Sequence, residues 1–313
     1  MKALLGKIGK YIETARSEGA RLFYYKHIYA RNIIKTRPIV CDKQGRIELH
    51  TLACQFDFLN TLWCLKTFYY FSGIRPRLVI YDDGSLSEAA IRTFYGHFVN
   101  CQVVRHDEFH RDMEDFLKAY RMCLKYSRIK EFYCALKLFG PMYYAKSEYV
   151  LYLDSDILFF KKPDEMLKCM ESGTPFYMSD YQDAYSYPVE FLKNLLNIKL
   201  PHNINAGLSC FSKRNFAGNL DLAEFYFKNV YELADRDVQA NRHEQTLAAI
   251  FLSKANAVRL GGEYQISKER ITDKTISHHF VDDGSRNNFY ALGLSRLKSA
   301  GFIEKVNNNN KTA

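Results

Sequence analysis

The chain has 313 residues, 47% of them hydrophobic, and a formal net charge of +9 at pH 7. This length suits one large α/β domain or two small ones, with enough apolar side chains for a real core. No window reaches the roughly 18 uncharged apolar residues of a membrane span, and Lys7 and Lys10 interrupt the apolar run that a secretory signal needs. The eight cysteines form no Cys-x-x-Cys pair, which favours buried thiols of a cytoplasmic protein over a disulfide framework or a zinc site.

Most of the positive charge lies in residues 1–40, which hold nine basic residues against Glu13 and Glu18. Between Leu4 and Ala15, apolar residues recur at helical spacing opposite several of the lysines. Such a helix can lie on an anionic membrane surface, and it can equally be a surface helix docked on its own domain. We expect no nucleic acid partner, because the motifs below indicate another chemistry. The sequence therefore predicts a basic amphipathic extension over residues 1–45, with peripheral contact at the cytoplasmic membrane face as one of its two explanations.

Strand and helix patterns alternate from residue 47 onward. Alternating apolar residues predict a first strand over 47–54, and the apolar segment 58–71 predicts a helix that ends at Ser72-Gly73. Strands over 77–81 and 101–105 enclose a second helix over 88–98, which Ser87 caps. This βαβαβ order predicts an α/β fold with a mostly parallel central sheet flanked by helices.

The second half of the chain continues this pattern with longer helical segments. We expect helix over 109–146, interrupted at Gly140-Pro141. A single domain is expected over 46–303, followed by a disordered polar tail over 304–313. Further elements are predicted as helices over 165–171, 190–196, 220–233 and 244–254, and as strands over 175–178 and 207–211.

Two carboxylates stand between apolar runs in the segment 149–160, where five apolar or aromatic residues lead into Asp154 and Asp156. Residues i and i+2 of a strand point to the same side, so the two carboxylates can converge on a divalent cation. In an open α/β sheet, ligands bind at the carboxyl ends of the strands. An Asp-x-Asp can also be a simple turn that accepts local backbone hydrogen bonds. The apolar flanks favour the metal site.

Further motifs follow one another in order around this pair. The first strand is followed by Asp57, the second by Asp82-Asp83-Gly84, and Lys137 lies on the helix before the Asp-x-Asp strand. Downstream stand Asn205-Ala206-Gly207, Glu244-Gln245, His279-Phe280 and Arg286. In this order, over residues 47–290, the motifs resemble those of the GT-A-fold glycosyltransferases. The resemblance is closest to glycosyltransferase family 8, whose members are retaining enzymes with nucleotide-sugar donors.

The resemblance implies a metal site that holds the donor diphosphate. Asp154, Asp156 and His279 would bind Mn²⁺ or Mg²⁺, and His278 adjoins His279 as the alternative ligand. A mixed nitrogen and oxygen set suits Mn²⁺ better than Mg²⁺. Implied contacts to the nucleotide sugar are the phosphate partners Lys137 and Arg286, the base or ribose partners Asp57 and Asp83, and the sugar partners Asn205, Ala206 and Gly207.

Asp180 matches a family position that contacts the donor sugar, and Glu244 and Gln245 match a catalytic pair. Locally, Asp83 and the Asn-Ala-Gly motif also fit ordinary turns, and Lys137 fits an exposed helix residue. The chain departs from the family in Ala135, where an Arg is usual, and in Glu244, where an Asp is usual. We therefore expect a divergent member of the family.

The implied activity is metal-dependent hexosyl transfer from a nucleotide-diphosphate sugar, a UDP-sugar, to a hydroxyl of a glycan, lipid-linked or other acceptor, with retention of configuration. An inverting enzyme is the alternative and needs a carboxylate base, for which Glu244, Asp180 and Asp183 are candidates. A phosphatase of the haloacid dehalogenase type is disfavoured because Leu158 replaces its expected Thr. The alternative of another class is a non-catalytic sugar-nucleotide-binding or membrane-surface module.

Overall fold

The computed structural model describes residues 13–129, 132–214, 218–231, 240–267, 269–281 and 283–309. Most of the amphipathic helix predicted between Leu4 and Ala15 lies outside these ranges. Within them, no helix has the length and apolar character to cross a membrane.

A seven-stranded sheet forms the centre, in the order β10-β8-β9-β6-β2-β3-β5. Strand β9 is antiparallel to its neighbours β6 and β8, and the other pairings are parallel, as predicted. Two smaller sheets, β1-β4 and β11-β12-β7, lie beside it. The strands are β1 (Ile39–Val40), β2 (Ile47–Ala53), β3 (Arg77–Asp82), β4 (Phe98–Val99), β5 (Gln102–Val104), β6 (Tyr149–Leu153), β7 (Ile157–Phe159), β8 (Phe176–Ser179), β9 (Ile204–Ser212), β10 (Val258–Arg259), β11 (Tyr264–Ile266) and β12 (Ser277–His279).

Helices cover both faces of the sheet. Alternate strand residues point to opposite sides, and the apolar residues on both sides are buried against these helices. On β3, Leu78 and Ile80 join one buried cluster, and Val79 and Tyr81 join the other. The helices are α1 (Ala20–Phe23), α2 (Phe58–Ser72), α3 (Glu88–His97), α4 (His106–Phe116), α5 (Arg121–Ser127), α6 (Ala135–Tyr144), α7 (Asp164–Ser172), α8 (Val189–Leu196), α9 (Leu220–Tyr231), α10 (Ala240–Leu252), α11 (Asp283–Asn288), α12 (Ser295–Ser299) and α13 (Phe302–Asn309), with π-helical Tyr24–Ile28 and Phe289–Leu294 and 3₁₀-helical Tyr29–Lys35.

The predicted interruption at Gly140-Pro141 is wrong, since helix α6 continues through both residues. A Cβ on Gly140 would lie 2.5 Å from the ring of Tyr81, so the glycine allows the helix to approach β3 closely. Pro141 removes one backbone hydrogen bond, but the burial of α6 against the sheet outweighs that loss.

The two ends of the described chain pack into the same core as the sheet. Ala30 and Ile33 are fully buried, and the Trp63 indole donates a hydrogen bond of 2.9 Å to the Ala30 carbonyl. The prediction of a disordered tail from residue 304 onward is wrong for residues 304–309, which are helical. Helix α13 buries Val306 to 3% exposure, and the Asn307 side chain accepts a hydrogen bond from a backbone amide.

Candidate functional site

The Asp154-Ser155-Asp156 segment joins the central sheet to the small sheet β11-β12-β7. The Asp154 amide donates to the Gly207 carbonyl at 2.8 Å, and the Phe280 amide donates to the Asp156 carbonyl at 3.1 Å. The segment lies between β6 and β7 and contains a turn. The carboxylates therefore converge through a turn held by two sheets, and not through the same-side geometry of one continuous strand. The sequence analysis treated a turn and a metal site as alternatives for this segment. In the structure, the same residues form both the turn and the candidate metal site.

Asp154, Asp156 and His279 form a group of three side chains whose candidate ligand atoms all lie within 4.8 Å of one another. The His279 Nε2 atom lies 3.0 Å from Asp156 Oδ1 and 3.7 Å from Asp154 Oδ2. Both histidines lie on β12, where successive side chains alternate in direction. His278 points elsewhere, with its Nε2 atom 3.1 Å from the Ser267 carbonyl oxygen. His279 is thus the histidine in the cluster.

Asn205 orients the imidazole of His279. The amide oxygen Oδ1 of Asn205 lies 3.0 Å from His279 Nδ1 and also accepts a hydrogen bond of 3.0 Å from the Gly207 amide. Because an amide oxygen only accepts, Nδ1 carries the proton, and Nε2 faces the carboxylates. That buried nitrogen lies close to Asp156 Oδ1 without the alignment of a hydrogen bond, and it has no other hydrogen-bond partner among the described residues. With Nδ1 held in this way, Nε2 is the nitrogen that a cation at the carboxylates would contact.

The electrostatics of the cluster favour positive charge beside Asp156. Burial alone would lower the pKa of His279, but the neighbouring Asp156 outweighs burial and raises it. Burial alone would raise the pKa of Asp156, but His279 outweighs it and lowers it. A divalent cation supplies the positive charge that this pairing indicates, and the oxygen and nitrogen donors fit such an ion.

Gly207 leaves the space in which these side chains meet. A Cβ at this position would lie 2.5 Å from Asp154 Oδ2 and closer still to the His279 ring. The Asn-Ala-Gly motif lies within β9, where residues 204–212 are buried throughout, and does not form the strand-initiating turn that local sequence allowed. A larger residue would fill the space around the cluster.

Lys137 is buried, at 8% exposure, and is not the exposed helix residue that its local sequence allows. Its ammonium lies 2.7 Å from Asp154 Oδ1 and 2.5 Å from Glu244 Oε1. Burial alone would lower the pKa of Lys137, but the two carboxylates outweigh it and raise the pKa. Burial raises the pKa of Glu244, with Lys137 opposing that shift. The ammonium therefore links the metal cluster to helix α10.

The cluster lies where two lobes of one open cleft meet. The larger lobe, of about 520 Å³, and the smaller lobe, of about 320 Å³, share Lys137, Asp154, Glu244 and His279 in their walls. Apart from the alternatives His278 and Asp183, the site residues predicted from the sequence line this cleft. The larger lobe adds Asp57, Asp83, Asp156 and Arg286, and the smaller lobe adds Asp180, Asn205, Ala206, Gly207 and Gln245.

Polar side chains in the larger lobe are already partly paired with each other. Arg286 Nη2 lies 3.8 Å from Asp57 Oδ2, and burial raises the pKa of Asp57. Asp83 accepts hydrogen bonds from the Ser85 amide at 3.0 Å and hydroxyl at 2.6 Å, which is the turn geometry that its sequence also predicted. Asp57 and Arg286 therefore line the lobe, whereas one carboxylate oxygen of Asp83 is occupied by hydrogen bonds from Ser85.

Tyr133, Tyr181 and Arg242 are among the cleft residues that carried no role in the sequence analysis. Tyr133 is 51% exposed in the larger lobe, and Tyr181 is 63% exposed in the smaller one. Aromatic faces of this kind suit stacking on a base or a sugar ring. Their sequence signal is weak: Tyr133 precedes Lys137 by one helical turn, and Tyr181 directly follows Asp180.

No protein-family model and no curated protein matches the sequence. Among solved structures, the chain is similar to the galactosyltransferase LgtC, solved with donor and acceptor sugar analogs, at 14% identity and a TM-score of 0.52 over 82% of this chain and 95% of that one. It is also similar to the bifunctional glycosyltransferase WbbM, at 11% identity and a TM-score of 0.53 over 84% of this chain and 51% of that one. Mouse xyloside xylosyltransferase 1 matches at 12% identity and a TM-score of 0.46, over 77% of this chain and 98% of that one. At these identities the likeness concerns the fold, and the chain has the GT-A glycosyltransferase fold.

Proposed function

We propose that this protein is a metal-dependent glycosyltransferase that moves a hexose from a nucleotide-diphosphate sugar, a UDP-sugar, to a hydroxyl of a glycan or a lipid-linked acceptor. One observation carries the proposal: Asp154, Asp156 and His279 form a candidate cation site at the junction of a two-lobed cleft. A cation at a junction can contact one ligand that extends into both lobes. A sugar linked through a diphosphate to a nucleoside has that form.

The cation would be held by Asp154, Asp156 and Nε2 of His279, and the mixed donor set favours Mn²⁺ over Mg²⁺. When bound, the ion supplies a Lewis acid that stabilises negative charge on the departing diphosphate. Lys137 contributes a second positive charge to the same wall of the cleft, 2.7 Å from Asp154 Oδ1. Its buried ammonium is in a low-dielectric position, where it attracts a phosphate more strongly than in water.

The larger lobe suits the nucleoside diphosphate. Arg286, 46% exposed, has a planar guanidinium that can donate two parallel hydrogen bonds to a phosphate. Asp57 and Asp83 offer acceptors for ribose hydroxyls or a base N–H. The exposed ring of Tyr133 offers a stacking face for the base. The lobe thus offers a cation for the phosphates, carboxylates for the ribose or the base, and an aromatic ring for the base.

The smaller lobe suits the transferred sugar and its acceptor. Asp180 and Asn205 are joined there by a hydrogen bond of 3.1 Å, and Gln245 Nε2 lies 3.4 Å from the same Asp180 oxygen. Carboxylate and amide groups of this kind pair with the alternating donors and acceptors of sugar hydroxyls. Gly207 lets the sugar approach the backbone closely.

Retention of configuration is favoured because the candidate bases for inversion are already engaged. Glu244 is paired with Lys137 at 2.5 Å, and Asp180 accepts hydrogen bonds on both oxygens. Asp183 accepts from the Asn203 amide at 2.7 Å. A general base must lie within hydrogen-bond reach of the acceptor hydroxyl, and these contacts hold each carboxylate towards a partner of its own chain. With these carboxylates engaged, the proton of the acceptor would pass to a phosphate oxygen of the leaving diphosphate, on the face from which it departs.

A nucleotide-sugar screen tests the proposal at its first step. Thermal unfolding of the full chain is measured with a panel of UDP- and GDP-sugars, each with and without Mn²⁺. We expect one UDP-sugar to raise the melting temperature only when Mn²⁺ is present. Linkage analysis of the product by NMR then reports the stereochemistry, and a β-linkage from an α-linked donor would refute retention. Metal-dependent binding with neither hydrolysis nor transfer would identify a non-catalytic sugar-nucleotide-binding module.

A further inference from the structure

A basic groove lies outside the cleft, where the two ends of the described chain meet. It has a volume of about 350 Å³ and is bounded by helix α1, the segment 270–271 and the helical run from Phe289 to Ser299. Its lining consists of three arginines, two serines and two aliphatic residues: Arg21, Arg270, Arg296, Ser295, Ser299, Ile271 and Leu292. None of these residues lines the cleft described above.

The positive charge of the groove is only partly neutralised. Arg21 donates hydrogen bonds to the Ala291 carbonyl at 3.1 Å and to a serine hydroxyl, both uncharged acceptors. Arg270 is exposed and has no hydrogen-bond or ion-pair partner among the described residues. Arg296 is paired at 3.2 Å with the fully exposed carboxylate of Asp273. Among the described residues, Asp273 is the acid that forms an ion pair with these three guanidiniums. Guanidiniums recognise phosphate through parallel hydrogen bonds.

The surface around the groove is also basic and carries exposed apolar side chains. Residues 20–37 and 289–309 together contain eight basic residues against one acidic residue. A second depression is lined by Lys35 and Lys298 together with two tyrosines and one acidic residue, Glu304. Ile28 is 53% exposed and Leu292 is 44% exposed. Basic, aromatic and apolar groups in one surface are the composition of a membrane-interface contact.

We propose that the groove of Arg21, Arg270 and Arg296 binds the phosphate of an anionic phospholipid headgroup, with this face of the protein resting on a membrane surface. The exposed side chains of Ile28 and Leu292 favour a lipid over a soluble phosphate, because only a bilayer offers them an apolar environment. This binding is separate from the proposed transferase activity and stands without it. Helix α11, whose Arg286 lines the cleft, leads directly into the helical run that carries Arg296. A bound membrane would therefore lie near the cleft entrance.

Vesicle co-sedimentation of the full chain tests this proposal. We compare vesicles of phosphatidylcholine alone with vesicles of phosphatidylcholine mixed with phosphatidylglycerol. The unaltered protein should sediment only with the anionic vesicles. Each basic residue near an anionic surface contributes about fivefold to binding, so the double variant Arg21→Ala/Arg270→Ala should bind about 30-fold more weakly. The matched control Arg92→Ala/Arg121→Ala removes two exposed arginines from helices α3 and α5 and should bind like the unaltered protein.

A single variant and a soluble competitor complete the test. Arg270→Glu changes a side chain without a partner in the described structure, so it should keep the melting temperature and still lose vesicle binding. Glycerol phosphate should compete with the vesicles, as the soluble form of the headgroup. Equal vesicle binding by both double variants would overturn the groove as the site. Binding of glycerol phosphate without any vesicle binding would overturn the lipid as its ligand.

Discussion

The side chains of Asn205 and His279 meet at 3.0 Å, between Oδ1 of the amide and Nδ1 of the imidazole. This hydrogen bond fixes the tautomer in which Nε2 faces Asp154 and Asp156. The same amide donates to Asp180 in the smaller lobe at 3.1 Å. One asparagine therefore joins the candidate cation site to the smaller lobe. The family resemblance assigned this residue to sugar binding, and the geometry adds the orientation of His279.

Replacing Asn205 by alanine should weaken cation binding more than it weakens the fold. Removal of the acceptor lets the His279 ring rotate and change tautomer, and such losses typically reduce metal affinity by about 10- to 100-fold. Isothermal titration of Mn²⁺ measures the effect. The control Asn229→Ala removes a half-buried asparagine whose side chain bonds only to the Phe225 carbonyl among the described residues. Equal Mn²⁺ affinity in the two variants would show that Asn205 does not orient the histidine.

Gly207→Ala should abolish cation binding, because its Cβ would lie 2.5 Å from Asp154 Oδ2 and would force the carboxylate or the His279 ring to move. Gly96→Ala is the matched control, since a Cβ at Gly96 in helix α3 meets nothing within 4 Å. The control should be more stable by about 0.5–1 kcal/mol, because alanine favours a helix interior over glycine. Mn²⁺ titration and thermal unfolding of both variants test this contrast. Unchanged Mn²⁺ affinity in Gly207→Ala would contradict it.

Local sequence predicted the positions of the main strands. It did not predict the contacts between distant strands that assemble the site. The apolar run before Asp154 predicted β6, whereas the turn that follows depends on contacts with Gly207 and Phe280 from distant strands. Strands β10, β11 and β12 have two or three residues each and are too short to show an alternating pattern. The helix through Pro141 and the helix at the asparagine-rich tail depend likewise on tertiary packing, which local propensity does not contain.

Lys137→Met should destabilise the protein by about 3–5 kcal/mol, because it leaves the carboxylates of Asp154 and Glu244 without their buried positive partner. The double variant Lys137→Met/Glu244→Gln should recover part of this loss, since one of the two charges is then neutral. Urea unfolding of the single and double variants without added metal gives both free energies. A double variant less stable than Lys137→Met would contradict the pairing.

The buried Glu48 should make the protein sensitive to acid. Burial alone would raise the pKa of Glu48, but His50 and Arg77 outweigh burial and lower it to about 2. A carboxyl with a lowered folded-state pKa stabilises the protein above its unfolded pKa and loses that contribution as the pH falls towards 2. The free energy of unfolding should therefore fall by about 3 kcal/mol more between pH 5 and pH 2 than in Glu48→Gln. Parallel pH profiles of the two proteins would refute this role.

The most direct measurement of the central claim is nucleoside diphosphate release from UDP-sugars, with and without Mn²⁺, by the unaltered protein and by Asp156→Asn. The asparagine keeps the shape of Asp156 but removes the negative charge that a cation requires. We predict Mn²⁺-dependent release by the unaltered protein and a loss of at least about 100-fold in Asp156→Asn, with the fold retained. Release that is independent of Mn²⁺, or equal in the two proteins, would contradict a metal-dependent glycosyltransferase.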